Sequence, residues 1–312
     1  MLRKIGLFIG VAACGALVTS CGGGNPDPTP TPTTTATPTP TPTSATNFSL
    51  TADFSSTSFN ANYGFAYFTP NGGTEIFSGG SRINGTSAIS FVASPDSATF
   101  TFPDLNDAVV FGASDFVSVD ATERRYATAN TALTLFLPFE NVMRVNYEID
   151  NQAFTRDSVD GILRSQRVAV FFNTPTTTDD ITATLSYTGT VDVVGGDPGV
   201  TRSGSISSPN VTFTITPGTN DTLTGTIDIF EDVMGVPTVV ASLDFSATVS
   251  STGVFEGTLE DTANELTGNF VGTLAGANRE ELFILFAARD ADVAGEADDG
   301  DNTTFVGSFI GN

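Results

Sequence analysis

Residues 243–260 read LDFSATVSSTGVFEGTLE. Leu243, Phe245, Ala247 and Val249 alternate with Asp244, Ser246, Thr248 and Ser250. After Ser251-Thr252-Gly253 the alternation restarts, with Phe255, Gly257 and Leu259 set against Glu256, Thr258 and Glu260. A two-residue period sends successive side chains to opposite faces of an extended chain, so each half reads as a strand with one dry and one wet face. The short Gly-containing link makes the two strands antiparallel neighbours.

The same pattern spreads outward. Ile181, Ala183, Leu185 and Tyr187 alternate with Thr182, Thr184, Ser186 and Thr188, while Val211, Phe213 and Ile215 alternate with threonines. Phe305, Gly307 and Phe309 repeat it near the C-terminus. Eight strands are predicted, over about 181–191, 205–216, 222–231, 238–250, 253–260, 265–274, 281–289 and 303–311. Turn signals such as Pro198-Gly199, Pro217-Gly218 and Ala275-Gly276 separate them. Eight antiparallel strands in a meander close into an up-and-down β-barrel. Glycines in the dry register, Gly257, Gly268, Gly272 and Gly307, are expected to relieve crowding inside it. The run 280–290 (EELFILFAARD) reads as helix by propensity as well as strand.

Upstream, 88–102 (AISFVASPDSATFTF), 132–137 (ALTLFL), 143–149 (MRVNYEI) and 164–172 (RSQRVAVFF) read as strands, and no long amphipathic helix is visible. The expected architecture is all-β. A smaller β-rich subdomain over 48–175, resembling a handle, precedes an eight-stranded antiparallel barrel over 176–312.

The N-terminus differs in kind. Arg3 and Lys4 precede an apolar run over 5–18 (IGLFIGVAACGALV), which suits a signal peptide and falls short of a membrane span. Val18-Thr19-Ser20-Cys21 resembles a bacterial lipobox, which implies a signal peptide over 1–20 and a lipid, palmitate among its acyl chains, on Cys21. Gly22 in place of an aspartate resembles cargo sorted to the outer membrane. Residues 21–47 then form an anchor and linker. Within it, 25–46 (NPDPTPTPTTTATPTPTPTSAT) cannot join a sheet, because proline removes donors and fixes φ. Extended at about 3.1 Å per residue, this tether reaches roughly 70 Å.

Composition removes whole classes of chemistry. The chain has no His, its lysine is Lys4, and its cysteines are Cys14 and Cys21. Beyond Cys21 there is no imidazole base, no Schiff-base lysine, and no thiolate nucleophile or metal ligand. No cofactor site and no catalytic residue is read from the sequence, and an enzyme is not expected. Removing Arg3 and Lys4 from the 12 basic residues leaves 10 against 35 acidic ones, a charge of −25. Such a body repels nucleic acid and anionic lipid.

Three further motifs carry less. The run 290–301 (DADVAGEADDGD) is dense in carboxylates, but it lacks the third ligand and the twelfth-position Glu of a calcium loop and reads as a solvated loop. Arg124-Arg125 is a candidate anion contact, with a surface ion pair as the plainer reading. Asp179-Asp180 has no spacing that singles out a glycosidase pair. A membrane-embedded barrel is disfavoured, because the outward register is Thr, Ser, Asp and Glu.

The order of segments resembles the transferrin-binding-protein-like lipoproteins. Residues 170–190 (VFFNTPTTTDDITATLSYTGT) resemble the segment that leads into that family's barrel. Residues 257–274 (GTLEDTANELTGNFVGTL), then Ala277-Asn278-Arg279-Glu280-Glu281-Leu282, then Phe305-Val306-Gly307-Ser308-Phe309-Ile310-Gly311 resemble its closing strands. Residues 94–107 (SPDSATFTFPDLND) with 133–147 match its handle more loosely. Leu282-Phe283-Ile284 stands where the family has Gly-Gly, and 290–302 is an acidic insert.

The resemblance implies a non-enzymatic outer-membrane lipoprotein that binds a solute or a protein on variable loops, with a TonB-dependent transporter as a candidate partner. Transferrin itself is not the expected ligand, since the classical receptor has two lobes and this chain has room for one. A structural or adhesive surface lipoprotein without a small ligand is the alternative. Its partners would be the membrane, through the lipid, and an extracellular protein, not nucleic acid.

Overall fold

A computed structural model of the chain describes residues 48–201, 204–290 and 303–312. The signal peptide, Cys21, the linker and the acidic run at 291–302 lie outside the described residues. The described residues are all-β, without an α-helix, and belong to one compact unit.

Eleven strands precede the barrel in two antiparallel sheets. The smaller runs β1 (Phe54–Phe59), β4 (Thr86–Ala93), β5 (Asp96–Thr101), β6 (Val109–Gly112). The larger runs β3 (Ile76–Arg82), β2 (Asn62–Pro70), β11 (Val159–Phe172), β10 (Val142–Arg156), β9 (Thr131–Phe136), β8 (Glu123–Ala127), β7 (Phe116–Val119). Alternation on β10 and β11 explains how they stack. Met143, Val145, Tyr147, Ala169 and Phe171 face the smaller sheet and meet Ile89, Phe91, Phe100 and Phe111 there. Val142, Val168 and Val170 face the other way, toward the barrel.

The barrel consists of β12 (Leu185–Gly196), β14 (Val211–Thr216), β15 (Thr222–Val233), β16 (Val236–Thr248), β17 (Val254–Asp261), β18 (Leu266–Ala275), β19 (Glu281–Asp290) and β20 (Thr304–Gly311). Each pairs antiparallel with the next, and β20 pairs with β12 to close the ring. The predicted strand over 205–216 is two strands: a short β13 (Ser205–Ser207) docks on β15, and Pro209 interrupts the run before β14.

The ambiguous run 280–290 is strand β19, buried on both faces. Leu282, Ile284, Phe286 and Ala288 point into the barrel core. Phe283 and Leu285 point outward and, with Val306 and Ile310 of β20, pack under Tyr63, Phe65, Val142 and Val170 of the large sheet. Double burial erases the period-2 signature, which is why this run also matched a helix. Away from that contact the outward register on β14 to β17 is mostly Thr, Ser, Asp and Glu, with Val236, Val239 and Val254 as exposed exceptions. No helix of the described residues is long and apolar enough to cross a membrane.

Candidate functional site

Cys21 falls outside the described residues, so the ligand-facing surfaces have to be built from the body itself. The barrel interior comes first. Phe245 sits at its centre, with its ring 5.3 Å from Phe213, 5.0 Å from Phe270 and 5.7 Å from Phe286. Phe309 lies 4.8 Å from Phe213 on the far side. Glycines make room for these rings: a Cβ at Gly257 would lie 2.9 Å from the Phe270 ring, and one at Gly307 would lie 2.8 Å from the Phe286 ring. At Gly225 and Gly272 the rings of Phe213 and Phe255 come closer still. Backbone carbonyls of Ser246, Phe283 and Asp192 also crowd Gly257, Gly272 and Gly307, and at Gly268 the close atoms are all backbone, of Ala287 and Ala288. Edge-to-face and tilted aromatic packing of this kind fills the middle of the lumen with side chains, while at the end near the β17–β18 turn a concavity of about 350 Å³ opens against Val240, Asn264 and Leu266.

One end of the barrel is laced shut. The backbone amides of Thr176 and Thr177 donate to the Ala277 carbonyl at 3.1 Å each. Arg279, 8% exposed, donates from Nη2 to the carbonyls of Asp179 (2.7 Å) and Ser251 (3.5 Å). The Tyr187 hydroxyl donates to the Arg279 carbonyl at 2.8 Å. Asp179 takes part here through its backbone carbonyl.

Polar groups also pin the handle sheets to the barrel. The Tyr63 hydroxyl donates to Asp192 Oδ2 at 2.9 Å, and Arg144 Nη1 lies 3.2 Å from the same oxygen. Burial, then the Asp192 charge, pushes the Tyr63 hydroxyl well above its ordinary value. Farther along, the buried carboxylate of Glu281 accepts from the Glu140 amide (3.0 Å), the Asn141 amide (2.9 Å) and Asn141 Nδ2 (2.8 Å). Burial raises its carboxyl above the usual range, although the amide donors pull the other way.

Two concave surfaces open on the handle. The first, of about 500 Å³, has Gly64, Ala66 and Gly79 beneath it and Asp104, Gln152 and Arg167 around it. Gly79 has φ +140° and open space where a side chain would be. Arg167 Nε donates to both oxygens of Asp104 at 2.8 and 3.0 Å, and its Nη1 donates to Ser165 Oγ at 3.0 Å. Ser165 in turn donates to Gln152 Oε1 at 3.1 Å. This wall is charge-neutral and hydrogen-bonding; it can bind but offers no nucleophile paired with a base. The second, of about 700 Å³, lies at the far end of the β10–β11 hairpin against Asn151, Phe154, Asp160 and Ile162. Phe154 and Ile162 are exposed there.

The Arg124-Arg125 motif departs from its expected surface role. Arg125 is exposed, but Arg124 is buried, paired with Asp96 and donating to the Tyr126 hydroxyl and the Leu50 carbonyl. The reason is that Arg124 lies on the face of β8 that meets the smaller sheet. Among the described residues no three of His, Cys, Asp and Glu converge as metal ligands, and all of 290–301 but Asp290 lies outside them. The handle surfaces have no signal in the sequence, because they join residues more than 80 positions apart.

No protein-family model matches the chain, and no curated protein matches it. Solved structures do. Isotype 1 transferrin-binding protein B from serogroup B Neisseria meningitidis is similar at 12% identity and a TM-score of 0.43, over 80% of this chain and 43% of that one. A mutant transferrin-binding protein B from Haemophilus parasuis Hp5 is similar at 12% identity and a TM-score of 0.37, over 72% and 52%. The N-lobe domain of lactoferrin-binding protein B from Moraxella bovis is similar at 12% identity and a TM-score of 0.37, over 81% and 99%. The chain thus spans about half the length of the two transferrin-binding proteins.

Proposed function

We propose that this chain is a non-enzymatic, lipid-tethered binding protein of the outer membrane. Cys21 carries the lipid, the tract 25–46 holds the body off the bilayer, and a protein partner is captured on the outer surface of handle and barrel. A TonB-dependent transporter is the natural neighbour for such a receptor. The concave surfaces of the handle carry this reading: with Phe213, Phe245, Phe270 and Phe286 in ring contact across the middle of the barrel, they offer a partner a seat outside the lumen. The absence of His, and of any Lys or Cys beyond Cys21, supports a role without catalysis. The family resemblance of 170–190 and 257–311 agrees with it.

The filled middle of the lumen favours the second reading, a structural or adhesive surface lipoprotein with no small ligand. Protease shaving of intact cells separates the possibilities. Release of the body from wild-type cells, and its loss from the membrane fraction in Cys21→Ala, is the expected result. Protection on intact cells would sink surface display. Mass spectrometry of the recovered body then looks for a bound solute. Binding to matrix or whole cells that Ala66→Arg leaves unchanged would favour adhesion over capture in the groove.

A further inference from the structure

The hairpin between β15 and β16 turns on two residues, Met234 and Gly235, with Val233 opposite Val236. Their φ angles are 55° and 83°. A two-residue turn with both φ positive takes Asn, Asp or Gly at its first position, because an ordinary side chain is strained in the left-handed region. The β10–β11 hairpin follows that rule, with Asp157 and Ser158 at the same two positions. Methionine has no polar atom to satisfy the local backbone; that task falls to Asp232, whose carboxylate accepts from the Gly235 amide at 2.7 Å. Met234 is 98% exposed, and Val236, the first residue after the turn, is 64% exposed. A methionine here strains the backbone and buries nothing within the fold. Both facts are accounted for if its side chain is buried elsewhere.

Charge identifies what buries it. Residues 203–278 contain nine Asp and Glu and no Lys or Arg, and Glu231 and Asp232 stand at the base of the tip. An anionic bilayer is repelled by such a surface, and residues 231–238 include none of the aromatic or basic residues that seat a segment at a membrane interface; Phe230 behind them is half-buried. We infer that the β15–β16 tip is an anchor received by a partner protein in an apolar pocket with a basic rim. Met234 is its central contact, and Val236 excludes water beside it. This rests on the binding-protein reading above and adds the chemistry of the partner.

The test uses the full-length chain in its own cells, with photoreactive benzoylphenylalanine at Val236, at Ser246 on the barrel wall, or at Ala153 on the handle. The expected result is one discrete protein adduct from position 236 and none from 246. That adduct's partner peptide should neighbour Lys or Arg. The adduct should fall at least tenfold when Met234→Asn is added, and also when NaCl is raised. Met234→Asn relieves the turn, so its Tm should rise by roughly 2–4 °C while binding is lost. A lipid adduct alone, an adduct that survives Met234→Asn, or a lower Tm in that variant overturns the anchor. An adduct at 153 but not at 236 overturns the anchor alone; none at either position overturns the binding-protein reading with it.

Discussion

Arg124 engages all of its donor nitrogens inside the handle. Nε donates to the Tyr126 hydroxyl at 2.8 Å, Nη1 to the Leu50 carbonyl at 3.0 Å, and Nη2 pairs with Asp96, while the guanidinium lies 4.9 Å from the rings of both Phe91 and Phe116. A planar fork satisfies these partners together, and a lysine ammonium cannot. Arg124→Met should therefore leave Asp96 half-buried without its cation and cost about 3–5 kcal/mol in urea denaturation. Arg124→Lys should fall between that variant and wild type. Glu281 gives a pH prediction. Burial raises its folded carboxyl above an unfolded value of about 4.3. Between those two values the native state holds more protons than the unfolded one, so stability falls as pH rises through that window. Urea midpoints of Glu281→Gln should lack this component of the fall; equal slopes in both proteins would refute it. Neither residue's role was legible in the sequence, because each depends on partners from other elements: Asp96 and Leu50 for one, Glu140 and Asn141 for the other.

At the scale of elements, period-2 alternation was readable wherever one face of a strand meets water. It located β15 to β18 and β20 within two residues, set β12 four to five residues early, and ran β13 and β14 together. It failed where a strand is covered twice, as in β19, and where glycine interrupts, as in β3 with Gly79 and Gly80. It also failed on β2, where Tyr63, Phe65 and Phe68 are buried on opposite faces, and on β7, which is exposed throughout. Double burial makes β19 an element with two separable duties. Phe283 lies 4.9 Å from Phe172 of the handle, while Phe286 meets Phe245 inside the barrel. Phe283→Ala should cost about 3–5 kcal/mol and act on the joint. Hydrogen exchange should then show β2, β10 and β11 losing protection before β15 to β18. Phe286→Ala should reverse that order. A Cβ at Gly307 would crowd the Phe286 ring and the Asp192 carbonyl, so Gly307→Ala should cost about 1–3 kcal/mol by overpacking, read as a lower urea midpoint.

For the whole molecule, charge is unevenly compensated. The described ion pairs all use arginines between Arg124 and Arg167, on the handle, and Arg144 reaches across to Asp192 of the barrel. The barrel wall opposite has no arginine of its own between residues 203 and 278, although Arg82 of the handle faces Glu256, and Asp244 sits directly across from Glu260 in the β16–β17 register. Like charges in that position destabilise a sheet. This imbalance was readable in the sequence as the base-free stretch 203–278; its placement on one wall was not, since it needed the barrel's order of strands. Raising salt from about 0.01 to 1 M shortens the screening length from roughly 30 to 3 Å. Exposed handle pairs such as Arg164–Glu75 then lose what little they contribute, while the buried Arg124–Asp96 pair is barely screened. Relief of repulsion across the barrel outweighs that loss, so Tm should rise with salt. Glu260→Gln should raise stability at low salt by about 0.2–1 kcal/mol and flatten the dependence. A Tm that falls with salt would mean that the arginine pairs, and not carboxylate repulsion, set the electrostatic balance of the body.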